Sequence, residues 1–328
     1  MRAAVLTAYG TPLQIGDMPS PVPGPGEVLV RIEASGVNPL DTKIHRGEAA
    51  HADMAPPAVL GIDMAGVVEA VGAQVHRFQI GDEVFGMTGG VGGVPGSLAE
   101  LAAVDQRLIA HKPTTLSMQQ AAAIPLGFIT SWEGLVDRAA VSAGHRVLIH
   151  GGAGGVGFLA VQLAIARGAQ VFATGSPASL AVIRQTGASA IDYTTSTVDE
   201  YVEECTGGEG FDIIMDNVGG NTLDASFAAV KRYSGHVVSA LGWGTHSLAP
   251  LSFRGATYSG VFTLLPLLTG RGREHHGHIL AEAAALAEAG RLVPRLHPAA
   301  FALGEVDDAH ALVESGTAAG KVIVLPQL

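Results

Sequence analysis

Three glycines, Gly152, Gly154 and Gly157, stand in Gly-x-Gly-x-x-Gly order inside RVLIHGGAGGVGFLAVQLAIARGA. An apolar strand-like run precedes them and an apolar helix-like run follows. In that context the first glycine allows a tight turn, the second lets backbone approach a pyrophosphate, and the third permits close strand–helix packing. The helix N-terminus then presents free N–H groups and a positive dipole end to the phosphates. Gly155 and Val156 complete the turn. The same spacing without flanking elements is only a tight turn, so the context carries the reading of a dinucleotide site.

The next signal is the end of the second strand. NAD-selective sites place a carboxylate there, about twenty residues on, to bind the adenosine ribose hydroxyls. Here that position reads Thr174-Gly175-Ser176. No carboxylate opposes a ribose phosphate at Gly175, which favours NADPH, yet GSPASLAV also lacks the Arg or Lys expected to hold one. Ser176, Ser179 and Tyr193 can donate hydrogen bonds in its place, or can be ordinary solvated loop residues. Asn217 and Leu241, at the ends of FDIIMDNV and HVVSAL, complete the expected cofactor set.

The elements that position these residues follow from texture. VLVRIEASGV, MAGVVEAVG and DEVFGM alternate or cluster apolar residues between Gly and Pro, which predicts a β-rich region over the first 110 or so residues. MPSPVPGPGE reads as an extended loop and GMTGGVGGVPGS as a glycine-rich surface loop. From about Ser117 helix-compatible runs begin (MQQAAAIP, SWEGLVDRAA). RVLIH, QVFATG, FDIIMDNV and HVVSAL then predict four strands of a parallel sheet with helical crossovers. A helix-like DDAHALVESG precedes a last strand, GKVIVLP, whose partner could lie in either domain.

Composition bounds the function. At 328 residues the chain exceeds what one core usually serves, so two domains are expected. With 48% hydrophobic and 15% charged residues it can fill both. A formal charge of −11 with no basic patch argues against nucleic acid or anionic membrane as partner. Cys205 is the only cysteine, which excludes an intrachain disulfide and a thiolate zinc cluster and suits a reducing cytoplasm. The apolar stretches are broken by Gly, Pro or charge, so neither a signal peptide nor a membrane span is expected.

Across almost its whole length the chain resembles the medium-chain dehydrogenase/reductase superfamily, within it the quinone oxidoreductase (zeta-crystallin-like) branch. The resemblance rests on EVLVRIEASGVNPLDTKIHRG, GIDMAGVVEAVGAQVHRFQIGDEVFG, AAAIPLGFITSWEGL, the AGGVG turn and FDIIMDNVGGNTL. It implies an α/β chain with a β-rich GroES-like catalytic domain (residues 1–121 and 271–328) around a Rossmann doubly wound parallel-sheet domain (122–270, its second boundary between 265 and 295). It also implies a homodimer through the Rossmann sheet edge. Zinc-dependent relatives hold a catalytic ion with two Cys and a His, positions that fall on Asn38, Ile62 and Leu126 here, and no cysteine-rich structural loop is present. An enzyme without metal is therefore expected.

Loss of a Lewis acid favours an acceptor that is already electrophilic. A quinone or similar conjugated carbonyl meets that need, with alignment over the nicotinamide supplying much of the catalysis. The resemblance assigns Asn38 as amide donor to the acceptor, Asp41 as the group orienting its surroundings, and Thr130 to the nicotinamide. Lys43 and His45 are either proton donors or solvated side chains, and the His275-His276-Gly277-His278 run reads as a polar surface loop. The expected activity is NADPH-dependent hydride transfer to a quinone; the alternatives are an alkenal or enone double-bond reductase and a non-catalytic dinucleotide-binding module.

Overall fold

The computed structural model describes all 328 residues. The chain forms two compact units, one from Met1–Leu126 with Leu264–Leu328, the other from Gly127–Thr263.

The first segment of unit one carries β1 (Arg2–Leu6), β2 (Gln14–Asp17), β3 (Glu27–Val37), α1 (Pro39–Arg46), β4 (Ala58–Val59), β5 (Asp63–Val71), β6 (Glu83–Met87), β7 (Leu101–Asp105), β8 (Ile109–His111) and α2 (Met118–Ala122). The chain then enters α3 (Pro125–Trp132), which runs into a π-helical turn over Glu133–Arg138. Unit two continues with β9 (Arg146–Ile149), α4 (Gly155–Ala166), β10 (Gln170–Gly175), α5 (Leu180–Gln185), β11 (Ser189–Asp192), α6 (Val198–Thr206), β12 (Ile213–Asp216), α7 (Asn221–Ala229), β13 (His236–Ser239), α8 (Ala249–Arg254) and β14 (Thr257–Gly260). The second segment of unit one adds α9 (Leu265–Thr269), α10 (Arg273–Glu288), β15 (Leu296–Ala302), α11 (Val306–Glu314) and β16 (Lys321–Leu325).

Unit one is β-rich. Its main sheet has the order β15-β16-β3-β5-β6-β8, with β7 also pairing β3, and a smaller sheet has the order β2-β1-β4. β3 shows why this sequence makes a sheet: Val28, Val30 and Ile32 are buried while the residues between them are partly exposed, the period-two pattern of a strand with one face inward. They pack with Met64, Val68, Val84 and Val104. The terminal GKVIVLP strand, β16, pairs antiparallel with β3, which settles its partner within unit one.

Unit two is a six-stranded sheet in the order β11-β10-β9-β12-β13-β14, every pairing parallel. Its central strands are buried along their length, as expected when helices cover both faces. Leu148, Phe172, Ile214, Phe227 and Val237 form one of its cores. Burial of each large side chain contributes roughly 1.5–3 kcal/mol.

Three expectations need correction. GMTGGVGGVPGS is no surface loop: only Gly93 and Pro95 in it are exposed. Its glycines let backbone press on backbone, since a Cβ on Gly96 would lie 2.2 Å from Leu60 O and one on Gly89 would lie 2.0 Å from Pro95 O. The HHGH run is not a loop either. It opens α10, with His276 fully buried and Gly277 seated against the Arg107 carbonyl, 2.5 Å from where a Cβ would stand. Finally, the four expected parallel strands are joined by two more, β11 and β14, whose sequences SAID and TYSG are too short and polar to announce themselves.

Candidate functional site

The phosphate turn is built at the head of α4. β9 delivers the chain to Gly151, whose φ of +70° lies in the left-handed region that glycine tolerates, and Gly154 caps the helix. Gly152 lies against β10, where a Cβ would come 2.5 Å from Ala173 Cβ. Gly157 lies under the turn, where a Cβ would meet Gly151 O at 2.2 Å. Around Gly155 nothing stands within 4 Å of a Cβ position, and beside Gly154 only Gly151 O comes near, at 3.3 Å. Two glycines thus hold the turn closed and two leave room outside it, a cradle that fits a pyrophosphate.

Several groups brace the cradle from within unit two. Ser131 on α3 donates to Gly127 O at 2.7 Å and to Val156 O at 3.3 Å, which ties that helix to the turn. Thr130 is buried on the same helix. His150 lies beneath the turn with Nδ1 3.1 Å from Thr174 Oγ1, and Gly151 N–H donates to the same oxygen at 3.3 Å. Burial holds the His150 pKa down to about 4, against the pull of nearby Asp216, so the imidazole is neutral. Its Nε2 is buried without a partner, as is Asn217 Oδ1, while Asn217 Nδ2 donates to His150 O at 3.1 Å.

The strand ends supply the rest. Asp216 accepts from Gly219 N–H at 3.0 Å and from Ser239 Oγ at 2.7 Å, and Ser239 Oγ accepts from Leu241 N–H at 3.0 Å. These bonds lock the β12 and β13 loops together, and Gly219 closes the joint, since a Cβ there would lie 2.7 Å from Leu241 O. At the end of β10, a Cβ on Gly175 would come 2.4 Å from Ser179 Oγ and 2.7 Å from Ile183 Cδ1. The Ser179 hydroxyl, donating to Ser176 O at 2.9 Å, therefore stands where a carboxylate would project. Tyr193 joins this corner through its N–H to Gly175 O at 3.4 Å, with its side chain exposed.

In unit one, α1 begins at Asn38, whose backbone N–H donates to Asp41 Oδ2 at 2.7 Å. The Asn38 side chain belongs to a buried network. Its Nδ2 donates to Asp63 Oδ2 at 3.0 Å and to Gly36 O at 3.3 Å, and its Oδ1 accepts from Lys321 Nζ at 2.5 Å. Lys321 also pairs with Asp63 Oδ2 at 2.9 Å, and Leu126 N–H donates to Asp63 Oδ1 at 2.9 Å. Burial raises the Asp41 carboxyl to about pKa 7, helped by the Asp63 charge and opposed by the Asn38 N–H and Lys321. Asp41 Oδ1 is buried without a partner.

The structure thus brings Asn38 and Asp41 together in unit one, and places the glycine turn, Gly175, Ser176, Ser179, Tyr193, Asn217 and Leu241 at or just past the carboxyl ends of the unit-two strands. Asp63, Lys321, His150 and Ser239 went unnoticed in the sequence. Asp63 and Lys321 lie on strands far apart in the chain, so no spacing links them. His45, one of the two proton-donor candidates, is engaged elsewhere, with Nδ1 3.2 Å from His310 Nδ1 and Nε2 2.7 Å from Thr11 O. No group of three or more His, Cys, Asp or Glu side chains is arranged to hold a metal ion.

Residues 24–114 match the alcohol dehydrogenase GroES-like domain family and residues 186–324 the zinc-binding dehydrogenase family. An NADPH-dependent alkenal/one oxidoreductase of Arabidopsis thaliana is 34% identical over 92% of this chain and 72% of its own. Among solved structures, an alcohol dehydrogenase superfamily protein from Novosphingobium aromaticivorans is 53% identical with a TM-score of 0.98, covering 99% of both chains. A quinone oxidoreductase from Coxiella burnetii is 27% identical with a TM-score of 0.84, again covering 99% of each.

Proposed function

Because the chain belongs to the medium-chain dehydrogenase/reductase superfamily, in its zinc-independent quinone oxidoreductase-like branch, we propose that it reduces a quinone or similar conjugated carbonyl with NADPH and without metal. The observation that carries the cofactor reading is the open space at Gly155, with Gly154 approached only by Gly151 O, at the N-terminus of α4. At the ribose end, the absence of a carboxylate at Gly175 and the Ser176–Ser179 hydroxyls support NADPH over NADH.

Reduced nicotinamide supplies a hydride when bound, and the acceptor takes that hydride with one proton. The residues of this chain prepare the event. Asp216, Ser239 and Gly219 fix the β12 and β13 loops that carry Asn217 and Leu241, which would hold the cofactor. Neutral His150 keeps positive charge away from the turn's interior. Asn38 is the amide assigned to the acceptor oxygen, and Lys321 and Asp63 hold it in place. Asp41 holds the start of α1, and water supplies the proton. Thr130, carried by the helix braced on the turn, serves the nicotinamide side.

Delivery of hydride to the β-carbon of an enone uses the same preparation, and the name of the Arabidopsis relative favours it as the second reading. The unpaired outer edge of β14 suits pairing with a second copy, so we include a homodimer in the proposal. No helix is long and apolar enough to cross a membrane, and the single cysteine suits a cytoplasmic location. Following the absorbance of NADPH and of NADH with a panel of quinones and enones tests the activity. Oxidation of NADPH only with conjugated acceptors is expected, and binding without oxidation would assign the chain to a non-catalytic module.

A further inference from the structure

The strand order of unit two has a direction. α4 places the phosphate turn after β9, and the ribose corner at Gly175 follows β10, on one side of β9. A dinucleotide with its phosphates at β9 and its adenosine half over β10 must extend its other half over β12, β13 and β14. In the loop that follows each of those three strands stands an exposed or partly exposed apolar side chain.

Val218, just past β12, is 53% exposed and lies beside the turn, its Cγ2 3.5 Å from the Cβ position of Gly151. Trp243, just past β13, is 55% exposed. Phe262, just past β14, meets Trp243 edge-on, with ring centroids 6.1 Å apart and planes at 85°. Scattered exposed apolar residues need no explanation, but an indole held against a second ring at a strand end differs. The loop is shaped to hold it there. Gly242 lies against Tyr258, whose hydroxyl would be 2.2 Å from a Cβ, and Gly244 adopts φ +119°, a conformation that L side chains rarely take. Trp132, the other tryptophan, is buried, so Trp243 is the solvent-facing indole of the chain.

We propose that Trp243 and Phe262, continued by Val218, form an aromatic shelf at the nicotinamide end of the site that seats a flat, ring-bearing conjugated carbonyl such as a naphthoquinone or cyclic enone. The inference rests on the hydride-transfer reading above and narrows its substrate class. Ring faces stack or pack edge-on against the indole, which rewards a planar ring and gives little to a short open-chain alkenal. Trp243 is then a specificity-determining residue, with no part in holding the phosphates.

The test compares Trp243→Ala and Trp243→Phe with the parent, using 1,4-naphthoquinone and a short alkenal as acceptors. Loss of the indole is expected to raise KM for the quinone about ten-fold, with the alkenal KM and the NADPH affinity each within about two-fold, and Trp243→Phe to recover most of the loss. An equal fold-change in KM for both acceptors in Trp243→Ala, or a change in oligomeric state without a change in quinone KM, would overturn the shelf. A second measurement does not need turnover. With NADP⁺ bound, naphthoquinone should quench the fluorescence of the parent saturably and that of Trp243→Phe much less. If no acceptor is reduced yet this quenching difference appears, the hydride-transfer reading fails and the ring-binding shelf stands; equal quenching in both proteins removes the shelf.

Discussion

Lys321 Nζ lies 2.9 Å from Asp63 Oδ2, joining the first residue of β16 to the first residue of β5 in a buried pair. Asp63 is fully buried and the Lys321 side chain nearly so, which makes the partners unequal to replace singly. Removing one charge strands the other in a low-dielectric interior, whereas removing both does not. Lys321→Met should therefore cost about 3–5 kcal/mol of stability. The double variant Asp63→Asn with Lys321→Met should recover more than half of it. Urea unfolding with an unchanged m-value measures both, and a single-variant cost below about 1 kcal/mol would show that the pair is not buried as described.

Asp41 gives the protein a pH signature. Its folded pKa of about 7 lies above the ordinary carboxylate value of 3.8, so between those two values the folded state holds a proton that the unfolded state has released. Its contribution is thus complete below the unfolded value, declines as pH rises, and is gone above about 7. Asp41→Asn keeps an acceptor for the Asn38 N–H but cannot ionise. The stability difference between Asp41→Asn and the parent should grow with pH across that window and then level off. A difference that does not vary with pH would place Asp41 in a solvated setting.

The glycines of the turn separate binding from packing. A valine at Gly154 projects toward the space left for phosphate, so Gly154→Val should weaken NADPH binding about ten- to a hundred-fold while the circular dichroism stays native. Gly157→Val instead drives a side chain into Gly151 O and should lower the melting temperature as well. Unaltered cofactor affinity in a folded Gly154→Val protein would mean that the phosphates lie elsewhere.

NADPH is expected to bind more tightly than NADH. Gly175→Asp would ordinarily reverse such a preference, but Ser179 Oγ and Ile183 Cδ1 already fill the direction a Cβ would take. The single change should therefore cost stability before it changes selectivity, and Gly175→Asp with Ser179→Ala should shift affinity toward NADH with a smaller loss. Titration of both cofactors into each variant decides this; tighter NADH binding by the parent would refute the assignment.

Activity should survive exhaustive chelation, and added zinc should not raise it. Ile62 is aliphatic and fully buried, and the Asn38 amide oxygen already accepts from Lys321. Stoichiometric zinc in the purified protein together with chelator-sensitive turnover would contradict this.

Much of this was legible because the relevant signals are local. The glycine turn, the alternation in β3 and the apolar runs of β9, β10, β12 and β13 each fit within a short window. What escaped is non-local or masked. SAID and TYSG become strands because neighbouring strands pair with them, and nothing in four polar-leaning residues says so. The glycine-rich segment at 86–97 suggested solvent because glycine favours turns, yet its missing side chains let it pack against Leu60 and Gly61. HHGH suggested polarity, although one of its imidazoles is wholly enclosed. The Asn38 amide could be named from the sequence, but its commitment to Asp63 and Lys321 could not.

Unit one is assembled from two stretches of chain with the whole of unit two between them. On a ribosome, the sheet of unit two is fully translated before β15 and β16 exist, so it can close its own parallel pairing while unit one still lacks two strands. Asp63 must then remain without its ammonium partner until synthesis has passed 258 further residues. A nascent chain arrested in that interval would carry a closed unit-two sheet while unit one stayed unfinished, and would expose the edge of β3 that β16 later covers.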